Sequence, residues 1–161
     1  MTTYWPAVDA PATIQPVPTA SSTRAMTGTE TILVVEDEAG LRVLVERILK
    51  RAGYTVLSAE DGFAALAIEA QHADAIDLLL SDMIMPGMNG AALAQQFAGR
   101  RPQIEVLFMS GYASREVVDL GMTGHHAGFL EKPFTPDVLT RKVREHLDRR
   151  AALRLNAPAP P

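Results

Sequence analysis

Leu78-Leu79-Leu80-Ser81-Asp82-Met83-Ile84-Met85-Pro86-Gly87 is the stretch that decides the fold class of this chain. Its short apolar run has the length of a buried strand, and such runs are typical of parallel sheets covered on both faces. Because Pro86 lacks an N–H and disfavours helix at Met85, the strand should end in a loop. Ligands collect at the carboxyl ends of such strands, which makes Asp82 a candidate nucleophile or metal ligand. Taken alone, a helix-capping Asp would fit the pattern equally well.

The composition is that of a globular protein with one ordinary domain. The chain has 161 residues, of which 47% are hydrophobic and 21% charged, and a formal net charge of -4. That charge does not favour a nucleic-acid partner. The absence of cysteine excludes disulfides, thiolate metal sites and cysteine nucleophiles. No apolar run approaches the roughly 18 residues that span a bilayer, and no secretory signal begins the chain. We therefore expect a cytoplasmic protein without a membrane partner.

Two proline-rich ends flank the folded part. Residues 1–29 are rich in Pro, Thr and Ala, which predicts a disordered or extended leader. Residues 150–161 are predicted to be a tail, which leaves a single domain at 30–149. Tyr4-Trp5 is the exception in the leader: these aromatics are either incidental or dock on a partner or on the domain itself.

Between these ends, five predicted strands alternate with five predicted helices. The strands are expected at 31–35, 54–58, 76–82, 104–109 and 128–131. The helices are expected at 39–52, from Asp61, from Asn89 or Gly90 to Phe97, from Ser114, and from Thr135 or Asp137. Short connections of this kind demand right-handed crossovers and a parallel sheet with helices on both faces. The alternation does not fix the strand order.

Three of the helices have predicted core faces. The first is expected to bury Leu41, Leu44, Val45, Ile48 and Leu49, with Val43 off that stripe; the second Phe63, Leu66, Ala67 and Ala70; the last Val138, Leu139, Val143 and Leu147. The outer face of the last helix is predicted to be basic, with Arg141, Lys142, Arg144, Arg149 and Arg150, and His146 is expected on its polar side.

Polar side chains follow four of the predicted strands. They are Glu36 and Asp37 after the first, Asp82 after the third, Ser110 after the fourth and Lys132 after the fifth. In a parallel sheet these ends lie along one edge, so three carboxylates converge and need a compensating cation. Oxygen ligands without cysteine suit a hard ion, most naturally Mg²⁺. A carboxylate, a hard cation, a lysine and a hydroxyl are the groups that phosphoryl transfer requires.

At this point the motifs resemble the receiver domain of two-component response regulators. The resemblance covers about residues 30–149 and is carried by four motifs in order: Val34-Val35-Glu36-Asp37-Glu38, Ser81 to Gly90, Met109-Ser110-Gly111-Tyr112 and Phe129-Leu130-Glu131-Lys132-Pro133-Phe134. It is most like stand-alone receivers or those of hybrid histidine kinases. It implies a flavodoxin-like fold, a doubly wound parallel sheet with strand order 2-1-3-4-5.

The resemblance also implies a role for each site residue. Asp82 would be the phosphoacceptor, Lys132 would contact the phosphoryl group, and a cis peptide would precede Pro133. Mg²⁺ would be bound by Asp37, by Asp82, by Glu36 through water, and by the backbone carbonyl of Ile84. Ser110 and Phe129 would form the switch pair. Glu36 departs from the more usual Asp, and Phe129 stands where Tyr is frequent.

The expected function is that of a signalling module and not of an enzyme. The donor would be a histidine kinase or a histidine phosphotransfer protein. The output would be protein contact through the helix predicted from Ser114, the fifth strand and the last helix. One alternative is an interaction module that works without phosphorylation. Another is a Mg²⁺-dependent phosphatase with an aspartyl nucleophile, which needs a second acid two residues after the nucleophile, where this chain has Ile84.

Overall fold

The computed structural model describes residues 28–111 and 127–157. Within these ranges five strands and four helices follow the predicted alternation, except between the fourth and fifth strands, where the predicted helix lies outside the described residues. In chain order they are β1 (Thr31–Val35), α1 (Ala39–Arg51), β2 (Thr55–Ala59), α2 (Gly62–Gln71), β3 (Leu78–Asp82), α3 (Gly90–Arg100), β4 (Glu105–Ser110), β5 (Ala127–Glu131) and α4 (Pro136–Asn156). The leader, Tyr4-Trp5 and the helix predicted from Ser114 lie outside the described residues.

All five strands are parallel and lie in the order β2-β1-β3-β4-β5. This is the 2-1-3-4-5 order that the flavodoxin-like fold implied. The register aligns Val35 with Ser81 and Asp82 with Met109, and the last residue of β4, Ser110, with Glu131. The chain segments that follow β1, β3 and β5 therefore leave the sheet at the same edge, as the sequence predicted.

Alternate strand residues face two separate apolar layers, because side chains point to opposite faces along a strand. On one face, Leu33, Leu79 and Phe108 pack with buried residues of α2 and α3. On the other face, Val34 and Leu80 pack with buried residues of α1 and α4. The sheet is thus covered on both sides, which explains why β3 reads as a continuous apolar run.

The predicted core face of α2 was wrong at three of its four residues, and the fourth, Leu66, is half-buried against the apolar layer under this helix. Phe63 is 61% exposed, and Ala67 and Ala70 are also exposed. The helix instead buries Ala65, with Ile68 half-buried against the same layer. Apolar residues occupy every position from 63 to 68, so the pattern did not single out one stripe.

The core face of α1 was predicted better. Val45 and Leu49 are buried, whereas Leu44, predicted to be buried, is 51% exposed, and Val43 is exposed as predicted. Leu44 lies at the border of the predicted apolar stripe.

Two polar residues of α4 were misplaced by the sequence analysis. His146 is buried, and its Nδ1 lies 3.3 Å from Oε2 of the buried Glu105 on β4. Arg150 is also buried and pairs with Asp77, just before β3. Both partners are far away in sequence, so the helical pattern alone could not reveal them.

The helix α4 continues to Asn156, into the residues predicted to form the tail. It is amphipathic and rich in arginine. Within the described ranges, no helix combines the length and the apolarity needed to cross a membrane.

The start of α3 fits tightly against the end of β3. Asn89 caps the helix by accepting a hydrogen bond from the amide of Ala92 at 2.8 Å. The amide of Gly90 donates to the carbonyl of Met83 at 3.0 Å. A Cβ at Gly90 would lie 2.4 Å from the carbonyl oxygen of Asp82, so only glycine allows this approach.

Two glycine substitutions in α3 should therefore have opposite effects. Gly90→Ala should lower the free energy of unfolding by about 1–3 kcal/mol, because the added methyl group meets backbone. Gly99→Ala should raise it by about 0.5–1 kcal/mol, because a Cβ there meets nothing within 4 Å and alanine favours helix. Urea denaturation of both variants measures the difference. Equal effects would contradict the tight contact at Gly90.

Candidate functional site

The first acidic pair sits in the short connection between β1 and α1. Glu36 is 1% exposed, whereas Asp37 is exposed. The amide of Glu36 donates to the carbonyl of Ala59 on β2, and its own carbonyl accepts from Nη1 of Arg42 at 2.7 Å. Its Oε1 accepts from the amide of Glu38 at 3.2 Å. The connection is therefore fixed by its backbone, and the Glu36 side chain is held inside the site.

Asp82 is the last residue of β3 and is largely buried. Its Oδ1 accepts a hydrogen bond from the amide of Ile84 at 3.3 Å, which orients the carboxylate. The loop then passes Pro86 and turns at Gly87, whose φ of 81° lies in the left-handed region that glycine adopts without strain. The predicted strand exit with an acid at its end is confirmed.

Lys132 joins the two acidic positions. Its Nζ donates to Oε2 of Glu36 at 2.9 Å and to Oδ2 of Asp82 at 3.1 Å. Its amide donates to the carbonyl of Ser110 at 2.8 Å, so β4 positions the residue as well. The Lys132–Pro133 peptide bond is cis, as the resemblance implied.

Burial and ion pairing shift the pKa values of these charged groups in opposite directions. Burial raises the pKa of the Glu36 carboxyl, and the nearby Asp82 adds to the rise, although the hydrogen bond from Lys132 opposes it. Burial would lower the pKa of Lys132, but hydrogen bonds to Glu36 and Asp82 outweigh it and raise that pKa. Lys132 is therefore held as a cation between two carboxylates.

Three carboxylates meet in the pattern that a hard divalent cation requires. Glu36, Asp37 and Asp82 each offer an oxygen, and these atoms all lie within 4.8 Å of one another. Lys132 supplies a single positive charge against them. The remaining negative charge and the all-oxygen donor set fit Mg²⁺, which binds through a few carboxylates and keeps several waters.

Ser110 and Phe129 lie on the paired strands β4 and β5. Ser110 ends β4 and is largely buried, and Phe129 is half-buried on β5. The ring of Phe129 stacks on Phe108 with centroids 5.6 Å apart, so this residue belongs to the core edge as well. A switch by this pair stays a prediction, as does the role of the Ile84 carbonyl.

Comparison with known proteins identifies the family. The model of the response regulator receiver domain matches residues 32–144. The chain belongs to the response regulator receiver domain family. The Sensor kinase CckA of Brucella abortus is 36% identical over 77% of this chain and 13% of its own length. Sporulation initiation phosphotransferase F of Bacillus subtilis is 31% identical over 73% of this chain and 94% of its own length.

Solved structures agree with the sequence relatives. The crystal structure of the receiver domain from the hybrid histidine kinase CckA shares 38% identity, with a TM-score of 0.63 over 73% of this chain and 98% of that one. The chemotaxis protein CheY4 of Vibrio cholerae shares 28% identity, with a TM-score of 0.68 over 73% of this chain and 98% of that one. The chain spans only 13% to 31% of the first curated relatives it matches. It is a receiver domain of two-component signalling, and receiver domains partner with histidine kinases or phosphotransfer proteins.

The sequence missed one contact that shapes the site of this receiver domain. Gly90 has no side chain, so the start of α3 can pack directly against the backbone of Asp82, the phosphoacceptor candidate. The signal was present, since Asn89-Gly90 was predicted to open a helix, but a helix start does not reveal a contact with β3.

His125-His126 lie outside the described residues.

Proposed function

We propose that this receiver domain accepts a phosphoryl group on Asp82 from the phosphohistidine of a histidine kinase or a histidine phosphotransfer protein. The observation that carries the proposal is the position of Lys132, whose Nζ bridges Glu36 and Asp82. This contact places a buried carboxylate, a fixed ammonium and a second acid within one crevice at the carboxyl edge of the sheet. The family match over residues 32–144 supports the same function.

The transfer balances without a further reactant. An oxygen of the Asp82 carboxylate attacks the phosphorus and forms an O–P bond, while the P–N bond of the phosphohistidine breaks. The electron pair of the broken bond goes to the imidazole nitrogen. Because the other ring nitrogen carries a proton, neutral histidine leaves. Lys132 balances charge on the phosphoryl oxygens as they approach, and the Ile84 amide holds the attacking carboxylate.

Glu36, Asp37 and Asp82 are the side chains that would hold Mg²⁺, with Glu36 acting through water and the Ile84 carbonyl as a further ligand. When bound, the ion supplies positive charge to the phosphoryl oxygens. The buried Glu36 and the exposed Asp37 approach this position from the same short connection. The exposed Asp37 leaves the site accessible from water.

Ser110 and Phe129 would change position when Asp82 is phosphorylated. In this proposal the Ser110 hydroxyl moves to a phosphoryl oxygen, and the Phe129 ring turns inward behind it. The consequence is a changed protein-binding surface on β5, α4 and the helix predicted from Ser114. Ser110 and Phe129 lie on paired strands, with Phe108 beside Phe129 and Ser110 beside Glu131.

We further propose a cytoplasmic phosphoacceptor without turnover of an outside substrate. The phosphatase alternative is disfavoured by Ile84, an apolar side chain that is 65% exposed where a general acid would be needed. A phosphorylation-independent interaction module is disfavoured by the complete acid set, since Glu36, Asp37 and Asp82 lie close together and Lys132 pairs with Glu36 and Asp82.

The phosphoacceptor assignment predicts a single adduct that depends on Asp82. Wild-type protein incubated with acetyl phosphate and Mg²⁺ should gain one phosphoryl group in intact-mass analysis. Asp82→Ala should gain none, because it lacks the attacking oxygen, and EDTA should suppress the adduct in wild type. Asp148→Ala, which removes a carboxylate on the outer side of α4, serves as the control and should react like wild type. An adduct on Asp82→Ala would contradict the assignment.

The metal assignment predicts different effects at two adjacent acids. Asp37→Asn should weaken Mg²⁺ binding at least about tenfold, since even changes beside metal ligands typically cost 10–100-fold. Glu38→Gln should change the affinity little, because Glu38 is not part of the carboxylate cluster. Isothermal titration calorimetry with Mg²⁺ gives both values. Equal affinities of the two variants would exclude Asp37 as a ligand.

A further inference from the structure

An arginine of α1 reaches back to the connection that carries the first two acids of the site. The Nη1 of Arg42 donates a hydrogen bond to the carbonyl oxygen of Glu36 at 2.7 Å. Arg42 is half-buried at the end of the first turn of α1, so its side chain passes back along that turn to the residues before the helix. It therefore binds the main chain at the start of the carboxylate cluster.

The carbonyl that Arg42 binds belongs to the peptide group between Glu36 and Asp37. A peptide group is planar, so a bond that holds its oxygen also holds the amide of the next residue. The main-chain rotations on the two sides of this plane, one at Glu36 and one at Asp37, determine where each carboxylate points. One hydrogen bond thus acts on two adjacent acids.

The two acids depend on this bond to different degrees. Glu36 is 1% exposed, and its carboxylate also accepts hydrogen bonds from the amide of Glu38 at 3.2 Å and from Lys132 at 2.9 Å. Asp37 is exposed, so packing does little to hold its side chain. The direction of the Asp37 carboxylate therefore follows the main chain that Arg42 holds.

The stability of α1 does not account for a cation at this place. A positive charge near the N-terminus of a helix opposes the helix dipole. The N-cap residue, Glu38, makes no side-chain capping hydrogen bond that could offset this effect. The charge of Arg42 also repels a second cation at the neighbouring acids. The favourable contact of Arg42 is its hydrogen bond to the Glu36 carbonyl.

We propose that Arg42 is a positioning residue for the Mg²⁺ site. Its bond to the Glu36 carbonyl holds the peptide group between Glu36 and Asp37, so that these two carboxylates and Asp82 offer their oxygens within 4.8 Å of one another. The proposal rests on the metal assignment made above. Arg42 acts through the main chain and contacts neither the ion nor the phosphoryl group.

The sign of the effect separates positioning from plain electrostatics. Removal of a positive charge near an acidic cluster strengthens the binding of a divalent cation, because one repulsion is lost. Removal of a hydrogen bond that orients metal ligands weakens the binding, typically by about 10–100-fold. The two roles of Arg42 therefore predict opposite changes in Mg²⁺ affinity.

The test titrates Mg²⁺ by isothermal titration calorimetry into wild type and variants of two arginines on α1. Arg42→Met removes the donor and the charge and keeps an unbranched helix-forming side chain. Arg42→Lys keeps the charge and a donor. Arg47→Met is the matched control, because Arg47 is exposed further along the same helix and its loss leaves the Arg42 bond in place. Urea unfolding without Mg²⁺ measures the stability of each protein.

Arg42→Met should weaken Mg²⁺ binding about tenfold. Arg42→Lys should stay within about threefold of wild type, because its ammonium can donate to the same carbonyl. Arg47→Met should bind Mg²⁺ as tightly as wild type or slightly more tightly. With acetyl phosphate as donor, the Mg²⁺ concentration that gives half-maximal adduct formation should rise in Arg42→Met by the same factor as the dissociation constant. Arg42→Gln repeats the measurement should Arg42→Met not fold.

Unchanged or tighter Mg²⁺ binding by Arg42→Met would overturn the proposal, and so would an equal loss in Arg47→Met. A lower stability of Arg42→Met with wild-type Mg²⁺ affinity would assign Arg42 a purely structural role. A wild type that binds no Mg²⁺ would overturn the proposal together with the metal assignment. Failure of the phosphoacceptor function looks different, because wild type would then bind Mg²⁺ and form no adduct with acetyl phosphate.

Discussion

The ammonium of Lys132 between the carboxylates of Glu36 and Asp82 is the contact on which the site depends. Parallel strands that share an edge bring acids from β1 and β3 together, and at this distance the like charges repel. Lys132 relieves that repulsion from the end of β5, with its backbone tied to Ser110. One cation thus couples three strands that are not all neighbours in the sheet. It also leaves enough negative charge for a divalent ion.

Much of the fold was predictable because its signals are local. The apolar runs of β1, β3 and β4 and the caps Asp61 and Asn89 appear where the sequence placed them. The strand order could not be predicted from local signals, because the alternation of strands and helices is compatible with several orders. Only the family resemblance supplied the order 2-1-3-4-5. The prediction of the core face of α2 failed because a helix that is apolar on nearly all sides does not show which side packs against the sheet.

The site was predictable for a related reason. Its residues follow strand ends, and a parallel sheet brings such ends together whatever the details of packing. The contacts that were missed join residues distant in sequence. The sequence predicted His146 and Arg150 as exposed polar positions on α4. In the structure they pair with Glu105 and Asp77, which only the folded sheet brings next to the helix. In the sequence Gly90 indicates only the start of a helix. In the structure its missing side chain leaves room for the backbone of Asp82.

These missed contacts have a common effect on α4. Near its middle, Arg144 binds Glu30, and a strong hydrogen bond raises the pKa of that guanidinium further, so it stays charged. His146 meets Glu105 beneath β5, where Gly128 leaves room for the imidazole, and Arg150 pairs with Asp77. The middle and far parts of the helix are thereby fixed to β4 and to the segments before β1 and β3. Its first turn has a hydrophobic environment and the Thr135 cap instead. The ion pairs of α4 with the rest of the domain are thus concentrated in its middle and far parts, away from the carboxyl edge of the sheet.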